Sequence, residues 1–205
     1  LWGDEALFET DILKIPGEHN QKNACAAMIA TFDFLREKGF GIEEIFDFWR
    51  EGLSKFTGLP HRLKFVREFE GVRFYDDSIA TTPGSAIAAL NSFEKPKILI
   101  LGGSNKGADL SELIEKIEKM PEQELRKVIL MGAESEKLAQ KLISSGFERF
   151  INLGVKTNMQ EVVKTAFENA KSGDVVILSP AHASFDMFKS YVDRGEQFVE
   201  NVNLL

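Results

Sequence analysis

The sequence predicts an α/β fold, a Rossmann-like and mostly parallel sheet of about six strands with helices on both faces. From residue 58 to the end, apolar runs typical of buried strands alternate with amphipathic helical patterns. The plainest run, Val175–Leu178, stops at Ser179 and Pro180 and leads into a loop that contains Ser184. Because ligands of α/β proteins bind at loops that follow the carboxyl ends of strands, this loop is the first candidate site.

The first 57 residues predict a different arrangement, one strand followed by two helices. Residues 12–15 have the apolar pattern of a strand, and Pro16 marks a turn. The first helix should end at Lys38-Gly39, and the second uses apolar positions between residues 42 and 53. One strand and two helices do not close a core by themselves. We therefore expect this segment to be the end of a larger domain, in a chain cut from a longer protein.

Two kinds of side chain in this segment carry specific predictions. One of Asn20 and Asn23 should be the N-cap of the first helix, because both lie among the polar residues that precede its apolar positions. Cys25 is set among alanines and should be a small buried residue.

From residue 58 onward the elements are placed in order. Residues 63–69 and 72–75 flank Glu70-Gly71 and predict a β-hairpin. Thr82 should cap a helix that has Pro83 at its first position. Further strands are expected at 97–101, 127–131 and 149–153, and further helices at 110–117, 134–144, 159–170 and from the Ser184 loop through Phe188, Tyr191 and Val192.

Composition narrows the class of protein. The net charge of −7 argues against a nucleic-acid surface, because no basic stripe is present to neutralise phosphates. The single cysteine excludes an internal disulfide framework and fits a reducing compartment. No apolar run approaches the ~18 residues that cross a bilayer, so no membrane partner is expected. The three histidines have no partners at metal-ligand spacing, so we expect no metal site in this chain.

A glycine-rich loop follows the predicted strand at 97–101. Gly102-Gly103-Ser104-Asn105-Lys106-Gly107 lies between a strand and a helix, where glycines let a ligand approach the backbone and Lys106 supplies a charge. The loop matches neither the dinucleotide fingerprint nor the Walker A motif. A tight turn with a solvated lysine explains these residues equally well.

Two other polar loops are candidates of the same kind. Asp76-Asp77-Ser78, with Thr81, could hold sugar hydroxyls, a metal or a cationic group, although capping and turn chemistry alone would explain these residues better. His61 and Arg62 could face a phosphate, since Arg62 offers a planar fork of donors. A linker turn with two exposed charges is an equal alternative for the latter pair.

Taken together, these loops resemble the ATP-dependent Mur ligases, and within that family the D-glutamate-adding branch. The resemblance covers the whole chain and depends on motifs in matching order and spacing: residues 17–24, Gly58-Leu59-Pro60-His61-Arg62, Asp76 to Thr81, Gly102 to Gly107, Leu178 to Asp186, Arg194-Gly195 and Phe198. One position departs from the family pattern, since Ile79 stands where a lysine is usual.

The resemblance implies domains, activity and partners. Residues 1–57 would be the end of the central ATP-binding domain, and residues 58–205 the Rossmann-like domain that binds the amino acid. The complete enzyme would join D-glutamate to UDP-N-acetylmuramoyl-L-alanine through an acyl phosphate, using ATP and Mg²⁺. It would act as a monomer in cytoplasmic peptidoglycan precursor synthesis, and so in cell-wall biogenesis, cell shape and cell division. Most magnesium ligands would lie upstream, so this chain alone should be inactive.

The resemblance also implies roles for individual residues. In ATP binding, Asn23 would contact the adenine, and His61, Arg62 and Asp77 would lie at the ribose and phosphates. D-glutamate would be held by Thr81, Lys106, Ser184, Phe185 and Tyr191, with Lys106 pairing to a carboxylate. The resemblance assigns no catalytic role to any residue of this chain.

Two alternatives stay open from the sequence. The chain could belong to another Mur-type ligase or to a folylpolyglutamate or cyanophycin synthetase, which should differ at the Ser184 loop. It could also be a non-catalytic α/β module that binds a nucleotide or another metabolite.

Overall fold

A computed structural model describes residues 8–104 and 107–205 of the chain. The chain divides into two compact units. The first unit ends at Gly58 and the second is Leu59–Leu205. Within the described residues, no helix combines the length and the apolar character needed to cross a membrane.

The first unit is built on two packed helices, α1 (Glu18–Glu37) and α2 (Ile42–Lys55), preceded by a 3₁₀ turn at Thr10–Ile12. Ile45 and Trp49 are its buried apolar side chains on α2. The indole N–H of Trp49 donates to the Thr31 hydroxyl of α1 at 3.0 Å, which joins the two helices. The two predicted helices are therefore confirmed.

Three predictions for the first unit are wrong. Residues 12–15 form no strand, since the described part of this unit contains no other strand to accept their backbone hydrogen bonds. Neither asparagine is an N-cap, because α1 begins at Glu18 after Gly17. Asn20 instead lies inside the helix, where its amide donates to the Pro16 carbonyl at 2.7 Å. Cys25 is exposed rather than buried, because a small side chain among alanines does not by itself indicate which face of a helix is packed.

The second unit is a six-stranded sheet in the order β1-β2-β6-β3-β4-β5, in which only β1 is antiparallel to its neighbour. Five helices of the described residues accompany it, and the predicted α/β class is confirmed. The strands are β1 (Lys64–Phe69), β2 (Val72–Asp76), β3 (Lys97–Gly102), β4 (Leu125–Met131), β5 (Phe150–Gly154) and β6 (Val175–Leu178), and the helices are α3 (Pro83–Asn91), α4 (Ser111–Lys119), α5 (Ser135–Ser145), α6 (Met159–Glu168) and α7 (Tyr191–Asn203).

Each face of the sheet is covered by its own set of helices. Successive side chains of β3 point to opposite faces, as the pleat requires. Leu99 and Leu101 pack with the apolar side chains of α3, α4 and α5. Ile98 and Ile100 pack with those of α6 and α7. The near-continuous apolar runs of the central strands follow from this burial on both faces.

The order of strands creates a crevice between β3 and β6. These two strands are neighbours, yet the chain leaves β3 for α4 on one face and leaves β6 for α7 on the other. Loops that diverge in this way open a gap at the carboxyl ends of the strands, which is where ligands bind in doubly wound sheets.

Two helix starts were predicted near the carboxyl edge of the sheet, and the structure confirms one of them. Thr82 caps α3 as predicted, since its hydroxyl accepts from the Ser85 N–H at 3.4 Å. The predicted start of the last helix before Phe188 is wrong. Ser190 is the N-cap of α7 and accepts from the Asp193 N–H at 3.1 Å, so Phe188 lies in the preceding loop. The cap signal of Ser190 outweighs the apolar spacing of Phe188.

Candidate functional site

The loops after β3 and β6 meet at the crevice and pair with each other. The Ser104 N–H donates to the Ala183 carbonyl at 2.9 Å, and the Ala183 N–H donates back at 3.2 Å. Gly103 makes this approach possible, because a β-carbon there would lie 2.2 Å from the Ala183 carbonyl oxygen. The two loops therefore form one continuous surface at the carboxyl edge of the sheet.

Asp77 joins the loop after β2 to its surroundings. One carboxyl oxygen accepts from the Leu63 N–H at 3.0 Å and the other accepts from the Ser179 hydroxyl at 2.8 Å. Burial raises the pKa of Asp77 to about 7, although the hydrogen bonds from Ser179 and Leu63 favour its ionised form. Both oxygens are engaged inside the protein, so this carboxyl group holds three segments together.

Asp76 orients His61 at the mouth of the site. A distance of 2.7 Å separates His61 Nδ1 from Asp76 Oδ2, while Asp76 Oδ1 accepts from the Ser78 N–H at 2.9 Å. The ring of Tyr191 lies edge-on to the imidazole, with centroids 6.1 Å apart. The buried carboxylate therefore fixes the orientation of a partly exposed imidazole, as in other His–Asp pairs.

Arg194 of α7 is fully buried and connects two loops. Its guanidinium donates to the Ser78 hydroxyl at 2.9 Å, to the Ser78 carbonyl at 2.7 Å and to the His182 carbonyl at 3.1 Å. Burial lowers the pKa of Arg194 to about 10, which still leaves it protonated at neutral pH. Burial likewise lowers the pKa of His182 and favours its neutral form.

Asp186 contacts the loop after β4. Its Oδ2 accepts from the Ala133 N–H at 2.7 Å. Its Oδ1 is buried and has no hydrogen-bond partner among the described residues. Gly132 accommodates the contact, because a β-carbon there would lie 2.4 Å from Asp186 Oδ2. A buried carboxylate oxygen without a donor is a rare feature in native proteins.

Backbone strain gathers around the same loops. Of the four non-glycine residues with positive φ angles in the described part of the chain, three are here: His61 at 60°, Leu63 at 45° and Ala181 at 56°. The fourth, Glu70 at 48°, is in the turn between β1 and β2. Such conformations cost on the order of 1–3 kcal/mol each and concentrate at functional sites. Together with the buried charges, they make this edge of the sheet the candidate site.

A model of the family described as Mur ligase, glutamate ligase domain matches residues 61–182. That span exceeds half of the chain and includes the β2 and β3 exit loops. The chain belongs to the Mur ligase family.

Curated relatives of this Mur ligase chain extend the match to nearly its whole length. It is 43% identical over 201 residues to a UDP-N-acetylmuramoylalanine–D-glutamate ligase of Caldicellulosiruptor saccharolyticus, covering 98% of this chain and 41% of the relative. It is 41% identical to the ligase of the same name in Nitrosomonas europaea, and that match covers 99% of this chain and 40% of the relative. The chain therefore spans about two fifths of the relatives it matches.

Solved structures bear out the fold. A UDP-N-acetylmuramoylalanyl-D-glutamyl-2,6-diaminopimelate–D-alanyl-D-alanyl ligase of Acinetobacter baumannii gives a TM-score of 0.61 at 17% identity, with 91% of this chain and 37% of that one covered. A pseudomurein peptide ligase type C of Methanothermus fervidus gives a TM-score of 0.60 at 18% identity, and the match covers 93% of this chain and 37% of that one. At these identities the likeness concerns the α/β fold.

The structure brings some of the predicted site residues of this Mur ligase chain together. His61 contacts the ring of Tyr191, and Arg62 is exposed on the His61 loop. The Asp77 carboxyl group bonds the nearby Leu63 N–H and the Ser179 hydroxyl instead. Asn23 lies on an exposed part of α1 in the first unit, and Lys106 lies outside the described residues.

The predicted amino-acid contacts differ in exposure. Thr81 is half-buried, and Ser184 is buried, yet its hydroxyl makes no hydrogen bond to a described residue. Phe185 and Tyr191 are exposed by 70% and 38%. Ile79, in the place of the usual lysine, is 39% exposed and adds an apolar side chain to this edge.

The sequence singled out Asp76 and Ser78 as candidates, but not as the partners of His61 and Arg194. It assigned no individual role to four other residues that shape the site: Ser179, Asp186, Arg194 and Gly195. Arg194-Gly195 and Asp186 lie inside motifs that carried the family resemblance, which was the available signal. The bond of Asp186 to Ala133 and the bonds of Arg194 to Ser78 span more than fifty positions of sequence, so no local pattern predicts them.

The described residues also provide a test for the magnesium that the family resemblance implies. They contain no group of three or more His, Cys, Asp or Glu side chains placed to hold a metal ion. The described part of the chain therefore does not fit a magnesium site.

Proposed function

We propose that this chain is part of an ATP-dependent ligase that adds D-glutamate to UDP-N-acetylmuramoyl-L-alanine in peptidoglycan precursor synthesis. The observation that carries the proposal is the 43% identity, across 98% of the chain, to a UDP-N-acetylmuramoylalanine–D-glutamate ligase. In this proposal residues 1–57 end the central ATP-binding domain and residues 58–205 form the amino-acid domain. The complete enzyme works as a cytoplasmic monomer.

The geometry supports a division of the site into two halves. Ser184 offers a hydroxyl without a described partner, and Thr81 and Phe185 lie on the loops beside it. With Lys106 and Tyr191, these residues hold D-glutamate, and the ammonium of Lys106 pairs with one of its carboxylates. Ile79 supplies no charge to the remaining carboxylate, for which the Ser184 hydroxyl is a neutral donor.

The nucleotide half uses the other loops. Arg62 is exposed and can form paired hydrogen bonds with a phosphate, while Asp76 orients His61 beside it. Asp77 acts as an anchor of this half, since both of its oxygens are engaged within the protein. Asn23, which lies in the first unit, is proposed separately as a contact to the adenine.

These roles define what the chain does in amide formation. The activated carboxyl group of the UDP-linked substrate must meet the amino group of D-glutamate at close range and in fixed orientation. Holding two reactants in this way removes much of the entropic barrier of a bimolecular step. The loops of the carboxyl edge supply that orientation for the amino acid.

The test is phosphate release from ATP by the full-length protein, measured with each substrate omitted in turn. We expect release only when UDP-N-acetylmuramoyl-L-alanine and D-glutamate are both present, and not with L-glutamate or diaminopimelate. Activity with another amino acid would assign a different Mur-type ligase, and no turnover with any would favour a metabolite-binding module. The 205-residue chain alone should be inactive, since it contains no Walker A motif.

A further inference from the structure

Two adjacent residues of α7, Arg194 and Gly195, contact the two halves of the proposed site without any assigned contact to a substrate. We infer that they are a pair of positioning residues. Arg194 holds the loops of the D-glutamate half in register, and Gly195 leaves the space in which His61 pairs with Asp76 in the nucleotide half. This inference rests on the proposed function, because it assigns the two halves to different substrates.

Arg194 bonds two loops that are far apart in sequence. It donates twice to Ser78, in the loop that continues to Thr81, and once to the carbonyl of His182, in the loop that contains Ser184. Because the guanidinium is planar and rigid, these bonds fix both the separation and the relative orientation of the loops. The distance between Thr81 and Ser184 therefore depends on Arg194.

The connection continues to a third proposed contact. The Ser78 hydroxyl accepts from Arg194 and donates its one proton to the Tyr191 carbonyl at 2.7 Å, so it links the guanidinium to the start of α7. The hydrogen-bond acceptors of the guanidinium are all neutral, and the nearby carboxylates of Asp186 and Asp76 act on its charge without a hydrogen bond. Burying a charge is costly even where opposite charges are near, so the arrangement is weak evidence for a role in stability alone. Its contribution is better explained by the geometry that it imposes.

Gly195 serves the other half of the site by lacking a side chain. A β-carbon at this position would lie 2.2 Å from His61 Nδ1 and 2.9 Å from Asp76 Oδ2. The imidazole would have to leave its 2.7 Å contact with Asp76. Alanine at this position should therefore release His61 from the orientation that the buried carboxylate gives it.

The test is the separate KM values of the full-length protein for its two substrates. Arg194→Lys keeps the charge but loses the planar fork, and should raise the KM for D-glutamate about tenfold while the KM for ATP changes less than about twofold. Gly195→Ala should give the reverse, about tenfold for ATP and less than about twofold for D-glutamate. A general loss of packing would instead raise the KM values for D-glutamate and ATP together.

Two matched controls accompany these variants. Arg149→Lys alters another arginine that donates to backbone carbonyls, those of Leu125 and Met120, at the opposite edge of the sheet. Gly52→Ala alters a helical glycine where a β-carbon meets nothing within 4 Å. Both controls should leave both KM values within about twofold of the wild type.

Ser78→Ala tests the same connection without changing Arg194, so the inference can be tested even if Arg194→Lys does not fold. It removes the link to Tyr191 while Arg194 keeps its two carbonyl acceptors, and should raise the KM for D-glutamate about threefold. Equal increases of both KM values in Arg194→Lys and Gly195→Ala would overturn the inference. So would an unchanged D-glutamate KM in both Arg194→Lys and Ser78→Ala. An inactive wild type would instead contradict the proposed function itself.

Discussion

The amino and carboxyl edges of the sheet both bury charged groups, but their partners differ. At the amino edge Arg126 makes a two-point ion pair with Asp174, with nitrogen–oxygen distances of 2.6 Å and 2.9 Å. Asp174 also accepts from the Lys171 N–H at 2.8 Å. Each carboxylate oxygen has a strong donor, so this edge has the bonding expected of a stabilising pair.

The carboxyl edge combines charge with strain and incomplete bonding. Positive φ angles occur at His61, Leu63 and Ala181, and one oxygen of Asp186 is buried without a described partner. Arg194 bonds only neutral acceptors. The amino edge also buries one charge on a neutral acceptor, since Lys97 donates to the Glu124 carbonyl at 3.3 Å. Among the described residues, however, the buried carboxylate oxygen without a partner lies at the carboxyl edge. Proteins keep such costly features where a fixed geometry is needed, so this difference favours a functional role for the carboxyl edge.

Asp174→Ala should give the largest effect, and it should be an effect on stability. Removing one partner of a largely buried pair leaves the other charge uncompensated, which costs roughly 3–5 kcal/mol. The side chain of Arg126 is 17% exposed, so water can reach it and the lower end of that range is expected. Native-state hydrogen exchange of the β4 and β6 amides measures the loss.

The same variant sharpens the comparison between the edges. In the full-length protein at a temperature where it remains folded, Asp174→Ala should leave the KM values for D-glutamate and ATP unchanged. A large rise in either value, or a stability loss below about 1 kcal/mol, would contradict the division of roles.

Asp77→Asn tests the carboxyl edge through pH. The pKa of Asp77 is about 7 in the folded protein against an ordinary 3.8, so the folded state binds this proton more tightly than the unfolded state. The contribution of Asp77 to the free energy of unfolding therefore falls as pH rises from about 4 to 7. A difference of about 3 pH units corresponds to at most ~4 kcal/mol.

The asparagine variant cannot ionise, so its free energy of unfolding should depend less steeply on pH across that range. The carboxyl ¹³C shift of Asp77 in the wild type should titrate with a midpoint near 7. Asp47→Asn is the control, since Asp47 is a largely exposed residue of α2. A midpoint for Asp77 in the ordinary range of an exposed aspartate would refute the effect of burial.

Lys106→Ala tests whether the carboxyl edge binds the amino acid. Loss of a charge-assisted hydrogen bond to a carboxylate should weaken D-glutamate recognition by roughly 1.5–3 kcal/mol. The measurement is kcat/KM for D-glutamate in the full-length protein. Lys171→Ala, an exposed lysine at the amino edge, should have no effect. An unchanged D-glutamate dependence in Lys106→Ala would remove this lysine from the site.

The sequence predicted those elements whose signals are local. Apolar runs such as Val175–Leu178 located the buried strands, and Thr82-Pro83 located the start of α3. The predicted strand at residues 12–15 failed because a strand also needs a partner, which an apolar pattern does not reveal. The last helix started late because Phe188 fits a helical spacing but packs from a loop.

The site was predictable as a set of loops, but not as a network. An arginine in an amphipathic helix is expected to face solvent, so the full burial of Arg194 was invisible before its acceptors in two distant loops were known. The pairing of His61 with Asp76 depends on the absence of a side chain at Gly195. Adjacent sequence does not encode either contact.

The smallest predicted effects compare two helix caps at the carboxyl edge. Asn158 caps α6 with a 2.9 Å hydrogen bond from the Glu161 N–H, whereas the bond from Ser85 to Thr82 is 3.4 Å. Replacement of an N-cap by alanine costs about 0.5–2 kcal/mol, and the shorter bond should place Asn158→Ala toward the upper end of that range. Thr82→Ala should lie near the lower end, measured by hydrogen exchange in each helix. If Thr82→Ala instead raised the D-glutamate KM as well, this cap would also help to position its neighbour Thr81, whereas Asn158→Ala should leave that KM unchanged.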